Sequence, residues 1–190
     1  MIETNTIIEA LYYILAKIKS ADKIKLVKLI YLADKYHLIH YGRTLTDDDY
    51  YAMEFGPVGS TVKDILEFNS FTLSKNEIKY ASQLLEKVNE NTFRVNTSSG
   101  EVELDMLSET DIEALDFAIK NFGSMSPWEL SDYTHKFPEW YKHEDLFENK
   151  SVKRKRIRPE ELLSMVDDEY FKVSSEHLEE SRNILAGKYD

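Results

Sequence analysis

The stretch from Asp22 to Tyr41 constrains this chain more than any other. Ile24, Leu26, Val27, Leu29, Ile30, Tyr31, Leu32, Ala33, Tyr36 and Leu38 recur at helical spacing, yet they cover most of the circumference rather than one stripe. A helix with so little polar surface has to run through the middle of a fold, covered on several sides. Gly42 follows it in the position where helices end with a left-handed residue. The rest of the sequence must supply the walls.

Those walls read as mostly helical. Residues 6–18 place Ile7, Ile8, Leu11, Ile14 and Leu15 on a helical period, with Thr4 or Asn5 as N-cap. Residues 43–49 read as a polar turn through Asp47-Asp48-Asp49, solvated or facing a basic partner. A short strand over 50–55 runs into Gly56-Pro57-Val58-Gly59. Taken by its residues, that corner is a tight strand-to-helix turn: Gly56 supplies an unusual φ and Pro57 starts a helix over about 57–69. A helix over 76–90 follows. Thr92–Asn96 and Val102–Met106 flank Thr97-Ser98-Ser99-Gly100 as a hairpin. Ser108 opens a helix to about Asn121. Ser126-Pro127-Trp128-Glu129 opens another with cap, N1 proline and N3 glutamate in order. Pro138 begins a short helix toward Phe147, and Arg158-Pro159 and Ser174 begin two more.

The expected fold class is therefore mainly α with a small antiparallel β element: a compact helical domain over 1–148, then a basic linker and short helical C-terminal extension over 149–190. At 190 residues one core suffices, without metal or disulfide. The absence of cysteine excludes thiolate chemistry and a disulfide framework. Met1-Ile2-Glu3-Thr4-Asn5 lacks the basic start of a signal peptide, and no apolar run approaches the ~20 residues that span a bilayer. A cytoplasmic protein without membrane contact is expected.

The net charge is −11, although Lys150, Lys153, Arg154, Lys155, Arg156 and Arg158 stand together without an acid between them. An acidic body with one short basic stretch argues against nucleic acid as the main partner, because phosphate contact needs a sustained basic face. It suits a protein partner better. Twelve tyrosines point the same way, since tyrosine gives large contact area at low entropy cost. Phe137, Trp140, Trp128 and Tyr141 cluster toward the end of the domain, mostly as core.

No catalytic, metal or cofactor motif stands out. The Gly-Pro-Val-Gly corner is not a phosphate loop, because proline removes a donor and no Lys-Ser/Thr pair follows. His37 and His40 are three apart on one helix with Asp34 a turn before, but no further ligand appears in motif form. Packing for His37 and a helix-end dipole contact for His40 are the expected roles. The acidic turn lacks the alternation of a calcium loop. His135 stands near a helix C-terminus, where it can cap carbonyls; without a nucleophile motif a hydrolase remains the weakest reading.

Three blocks, in order, carry a family resemblance. The first is Lys25-Leu26-Val27-Lys28-Leu29-Ile30-Tyr31-Leu32-Ala33-Asp34, continuing through His37-Leu38 to Tyr41-Gly42-Arg43-Thr44-Leu45. The second is Ala52-Met53-Glu54-Phe55-Gly56-Pro57-Val58, and the third is Leu130-Ser131-Asp132-Tyr133-Thr134-His135 with Pro138-Glu139-Trp140. Over residues 6–147 the chain resembles the Panacea domain, also called the SocA-like or phage-associated GepA-type domain. It departs at Val27, where the family often has Gln, and at Lys35-Tyr36. The resemblance implies an antitoxin, of bacterial or phage origin, that neutralises a cognate toxin by direct protein–protein binding, with no established catalytic residues and no cofactor. An adaptor that delivers a bound partner to a protease or other machinery is the alternative. Lys25, Lys28, Tyr31, Gly42, Arg43, Phe55, Gly56, Pro57, Thr134, His135 and Trp140 become family-signature residues, structural or partner-binding. The Gly-Pro-Val-Gly corner becomes a hinge holding a short strand against the central helix, at one edge of the toxin-binding face. Oligomeric state stays open.

Overall fold

The computed structural model describes residues 4–100 and 102–187, so the outermost residues of the expected domain and of its extension, 1–3 and 188–190, lie outside the described residues. Helix α1 (Thr4–Ile18) leads through a short strand β1 (Ser20–Asp22) into α2 (Lys23–Tyr41). Thr4 and Asn5, expected as caps, already lie within α1. α2 begins where Asp22 accepts the Ile24 N–H at 2.7 Å. It ends at Gly42, left-handed at φ 68° with its N–H on the Leu38 carbonyl. A Cβ on Gly42 would meet the Ile184 side chain at 2.5 Å. One glycine thus both ends the helix and lets a distant segment approach it.

Strands β2 (Tyr50–Met53) and β3 (Gly56–Gly59) form a hairpin around Glu54-Phe55, with Met53 opposite Gly56 and Tyr50 opposite Gly59. This corrects the expected corner: Gly-Pro-Val-Gly is itself a strand, and Pro57 does not start a helix. β3 is an edge strand, where a residue without an N–H is tolerated. The helix expected over 57–69 is α3 (Ser60–Glu67), closed by a left-handed Phe68 at φ 48°. Its cap comes from another loop. Asp48 accepts the N–H groups of Thr61 and Val62 at 2.9 and 3.0 Å and the Ser60 hydroxyl at 3.2 Å. Asp48 is therefore buried, whereas the acidic turn was expected to be solvated.

Helix α4 (Lys75–Leu84) passes directly into β4 (Leu85–Lys87), cutting short the helix expected over 76–90. Strand β5 (Thr92–Val95) pairs antiparallel with β4 and with β1, in the order β1-β5-β4. The expected hairpin with 102–106 does not form; Thr97–Ser99 is a 3-10 turn instead. Local turn signals located β5 but not its partners, because β1 lies some seventy residues upstream. Helices α5 (Glu109–Phe122) and α6 (Pro127–His135) start on capping boxes at Ser108 and Ser126. Two short helices follow, α7 (Pro138–Tyr141) and α8 (Glu144–Glu148).

The basic stretch read as a linker contains a strand. β6 (Arg154–Ile157) pairs antiparallel with β2, Ile157 opposite Tyr50 and Arg154 opposite Met53. After α9 (Pro159–Leu162) and α10 (Ser175–Leu185), the chain has buried Ile157, Leu162, Leu163, Phe171 and Leu178. Phe171 stacks on Phe122 and meets Phe137 edge-on. α10 docks on α2, where the Ser181 hydroxyl donates to the Ile39 carbonyl at 2.5 Å and His177 Nε2 reaches it at 2.9 Å. The architecture is mainly α with minor antiparallel β, as its periodicity implies. α2 is packed by α1, α3, α5, α6 and α10. Among the described residues no helix is long and apolar enough to cross a membrane.

Candidate functional site

α2 is not only apolar: Lys28, Asp34, Lys35 and His37 on it are buried too. Burial of such groups is tolerated only where each finds a partner. Their partners define what the helix organises.

The β2–β3 hairpin is held by donors from three helices. Lys28 on α2 donates from Nζ to the Pro57 carbonyl at 2.8 Å. Ser131 on α6 donates from Oγ to the Phe55 carbonyl at 3.0 Å. Trp140 on α7 donates from Nε1 to the Met53 carbonyl at 2.7 Å. Gly56 is demanded twice over, by its φ of 100° and by space. A Cβ there would meet Lys28 Nζ at 2.6 Å and the Thr134 hydroxyl at 2.7 Å. Thr134 in turn donates to the Ser131 carbonyl at 3.0 Å. Burial pushes the Lys28 ammonium down to about 7.

His135 completes the clamp by stacking. Its ring lies flat on Trp140, centroids 3.5 Å apart and 5° from parallel. Burial, then the nearby Lys28, lowers its pKa to about 4, so it is neutral near pH 7. Its Nε2 is buried without a hydrogen bond among the described residues. The helix-end capping role expected for His135 gives way to packing that orients Trp140.

Further along α2, Tyr31 donates to Glu139 Oε1, and Lys35 reaches the same oxygen at 2.6 Å and the Leu162 carbonyl at 2.9 Å. Lys35 also lies 4.6 Å over the Phe137 ring. Lys35 and Glu139 are fully buried, so Pro138-Glu139-Trp140 is gripped by α2 on one side and grips the hairpin on the other. Asp34 accepts from the N–H groups of Leu45 and Thr46 at 2.7 and 3.0 Å, from the Thr46 hydroxyl, and from Tyr50 at 2.6 Å. Burial raises its pKa to about 6 against the pull of those donors.

Gly42 and Arg43 belong elsewhere, roughly 20 Å along α2 from Lys28 at 1.5 Å per residue. There His37 donates from Nδ1 to the Arg43 carbonyl at 2.8 Å, and its Nε2 lies 3.0 Å from Thr110 Oγ1 and 3.2 Å from Asp111. Arg43 meets the same carboxylate at 3.0 Å. Burial opposes ionisation of Asp111, but hydrogen bonds from His37 and Ser108 and the Arg43 charge hold its carboxyl well below the usual range. His40 turns away to pack on Tyr36 and His177, so the two histidines do not converge.

A groove of about 590 Å³ opens beside the hairpin. Ile24, Val27, Met53, Phe55, Val58, Phe147 and Val152 give it an apolar lining, and Lys23, Lys63, Lys150 and Lys153 border it. Phe55 is half exposed and packs edge-on against Trp128 at 5.6 Å. Of the signature residues, Lys28, Phe55, Gly56, Pro57, Thr134, His135 and Trp140 thus gather at one place, while Gly42 and Arg43 do not. Lys25 is half-buried on the same end of α2, near Glu129. Tyr31 supports the clamp from behind. Sequence reasoning quoted Ser131 and Glu139 within the motif without singling them out. Lys150 and Lys153 were legible only as part of a basic run and Phe147 only as a helix end, and neither they nor Val152 could be placed at the hairpin, because only the β6 pairing brings that segment there.

A family model described as antitoxin SocA-like, Panacea domain, matches residues 26–141. The match contains the hairpin and all three of its donors, and stops before β6. Neither the curated proteins nor the solved structures yielded a match.

Proposed function

Because this chain belongs to the SocA-like antitoxin family through its Panacea domain, we propose that it neutralises a cognate toxin protein by binding it directly at the hairpin groove. The family is one of antitoxins, which suggests a role without catalysis. The observation that carries the choice of surface is the clamp. Three buried donors from α2, α6 and α7 fix alternate carbonyls of one hairpin, those of Met53, Phe55 and Pro57, so its exposed tip stands rigid beside an apolar groove. Rigid aromatic side chains next to a concave apolar surface are what tight interfaces use as anchors, since little entropy is lost on binding. Phe55 and Trp128 are such anchors, 47% and 59% exposed. On this reading most signature residues act behind the surface. Lys28, Gly56, Pro57, Thr134, His135 and Trp140 hold the hairpin, and Phe55 is the one presented to the partner.

The test is co-expression with the product of the adjacent gene. Restored growth and a complex that survives size-exclusion chromatography are expected, with both lost in a Phe55→Ser, Trp128→Ser double variant that still folds. A wild-type chain that neither rescues growth nor forms a complex would refute the reading.

A further inference from the structure

The charge around the groove differs in sign from the rest of the molecule, and this bears on what the groove holds, given the toxin-binding reading above. The chain carries 35 acidic against 24 basic residues. Yet the groove is bordered by lysines from three separate elements: Lys23 on α2, Lys63 on α3, and Lys150 and Lys153 on the segment entering β6. Glu54 is the acid that lines it. Lys23 and Lys63 share Glu67, which neutralises them in part. Lys150 and Lys153 are exposed and make no ion pair among the described residues. Lys150 also stands in the left-handed region at φ 51°, where glycine would be the easier residue; glycine would bring no ammonium to the groove. Beneath the lysines the surface is apolar, formed by Val27, Met53, Phe55, Val58, Phe147 and Val152.

We propose that the groove receives a short segment of the toxin in which apolar side chains are flanked by aspartate or glutamate. The apolar side chains fill the floor, and the flanking carboxylates meet Lys150 and Lys153, with Lys23 and Lys63 behind them. Charge complementarity selects this occupant over a basic one. An acidic segment is disfavoured by the net negative charge of the protein and attracted at these lysines, so the field guides it to the groove and disfavours misdocking. A basic segment would be drawn to the acidic surface elsewhere and repelled at the lysines.

Three fluorescent peptides of equal length test this against the full chain by anisotropy. One is an amphipathic helix with a leucine-phenylalanine face and glutamate flanks, the second carries lysine flanks, and the third replaces the apolar face by serine. The glutamate peptide is expected to bind, with affinity falling as salt rises, and the other two to bind much more weakly. In Lys150→Glu, Lys153→Glu, affinity for the glutamate peptide should fall by about tenfold or more, and affinity for the lysine peptide should rise. Both positions are exposed, so an unchanged melting curve is expected to accompany the loss. Equal binding of the glutamate and lysine peptides, or indifference to the double reversal, would overturn the proposal. So would self-association of the wild type that Phe55→Ser abolishes, which would assign the groove to a second copy of the chain. Growth rescue separates the two readings. If the wild type and the double reversal both rescue, antitoxin action stands and the groove assignment falls. If the wild type fails to rescue, antitoxin action falls, and the peptides still decide the groove.

Discussion

Lys28→Met tests the clamp through its pH dependence. In the unfolded chain the lysine titrates near its ordinary 10.5; in the fold, burial lowers it to about 7. Between those values the unfolded chain holds one more proton than the native one, so this group makes stability rise with pH across that window. Methionine keeps the length and apolar stem but titrates nothing. The difference between wild type and Lys28→Met should therefore change little between about pH 6.5 and 7 and then move in favour of wild type by about 1.4 kcal/mol per pH unit. Over the whole window this amounts to something on the order of 5 kcal/mol. A constant offset accompanies it, because the substitution leaves the Pro57 carbonyl without its donor, at about 1–3 kcal/mol. Asp34 and His135 titrate near 6 and 4, below the window. Tyr31 and Tyr50 titrate well above 10, and in both proteins. Urea unfolding followed by tryptophan fluorescence between about pH 6.5 and 9.5, at fixed ionic strength, reads the difference. Parallel stabilities across that range would mean Lys28 keeps an ordinary pKa, and the buried-donor account of the hairpin would be wrong.

Gly56→Val should lower stability by about 3 kcal/mol or more, from the strained φ and the contacts with Lys28 and Thr134, and weaken the proposed toxin binding only as a consequence. A variant with wild-type melting but no binding would contradict this. Trp140→Phe keeps the stack on His135 and removes one donor, so a loss of about 1–3 kcal/mol in denaturant unfolding is expected; no change would show the Met53 carbonyl satisfied by water. Truncation after Asn149 removes β6 and five buried apolar side chains worth about 1.5–3 kcal/mol each, a sum comparable to the whole stability of a typical domain. It should abolish cooperative unfolding in circular dichroism, and a truncated chain that melts like the full one would show residues 150–190 to be dispensable to the fold.

Much of the fold was legible where the signal is local. Helix starts at Ser108, Ser126 and Ser174 are set by capping chemistry within four residues, and all three hold. Gly42 ends α2 for an equally local reason. The strands were less legible. The pattern around β5 pointed to the wrong partner, and β6 was hidden under a run of charge, because its two arginines and one lysine are exposed while Ile157 alone is buried. Pro57 invited a helix start, since the preference for proline at N1 is strong; the edge position that accommodates it on a strand is a property of the sheet.

Sequence alone determined that α2 must be central, since apolar residues around most of a helix leave it nowhere else to go. It also carried the family resemblance, in blocks on α2, the hairpin and α6–α7 that occur in order along the chain, and the matching family model bears it out. Only the tertiary structure decided what those blocks do together. Lys28 is far in sequence from Ser131 and Trp140, and all three converge on carbonyls of one hairpin. The reason is that a buried donor must find an acceptor somewhere, but its own residue type does not say where. The groove has the same origin: its walls come from four segments, and Lys150 and Lys153, two of the lysines that give it its charge, arrive only when β6 pairs with β2.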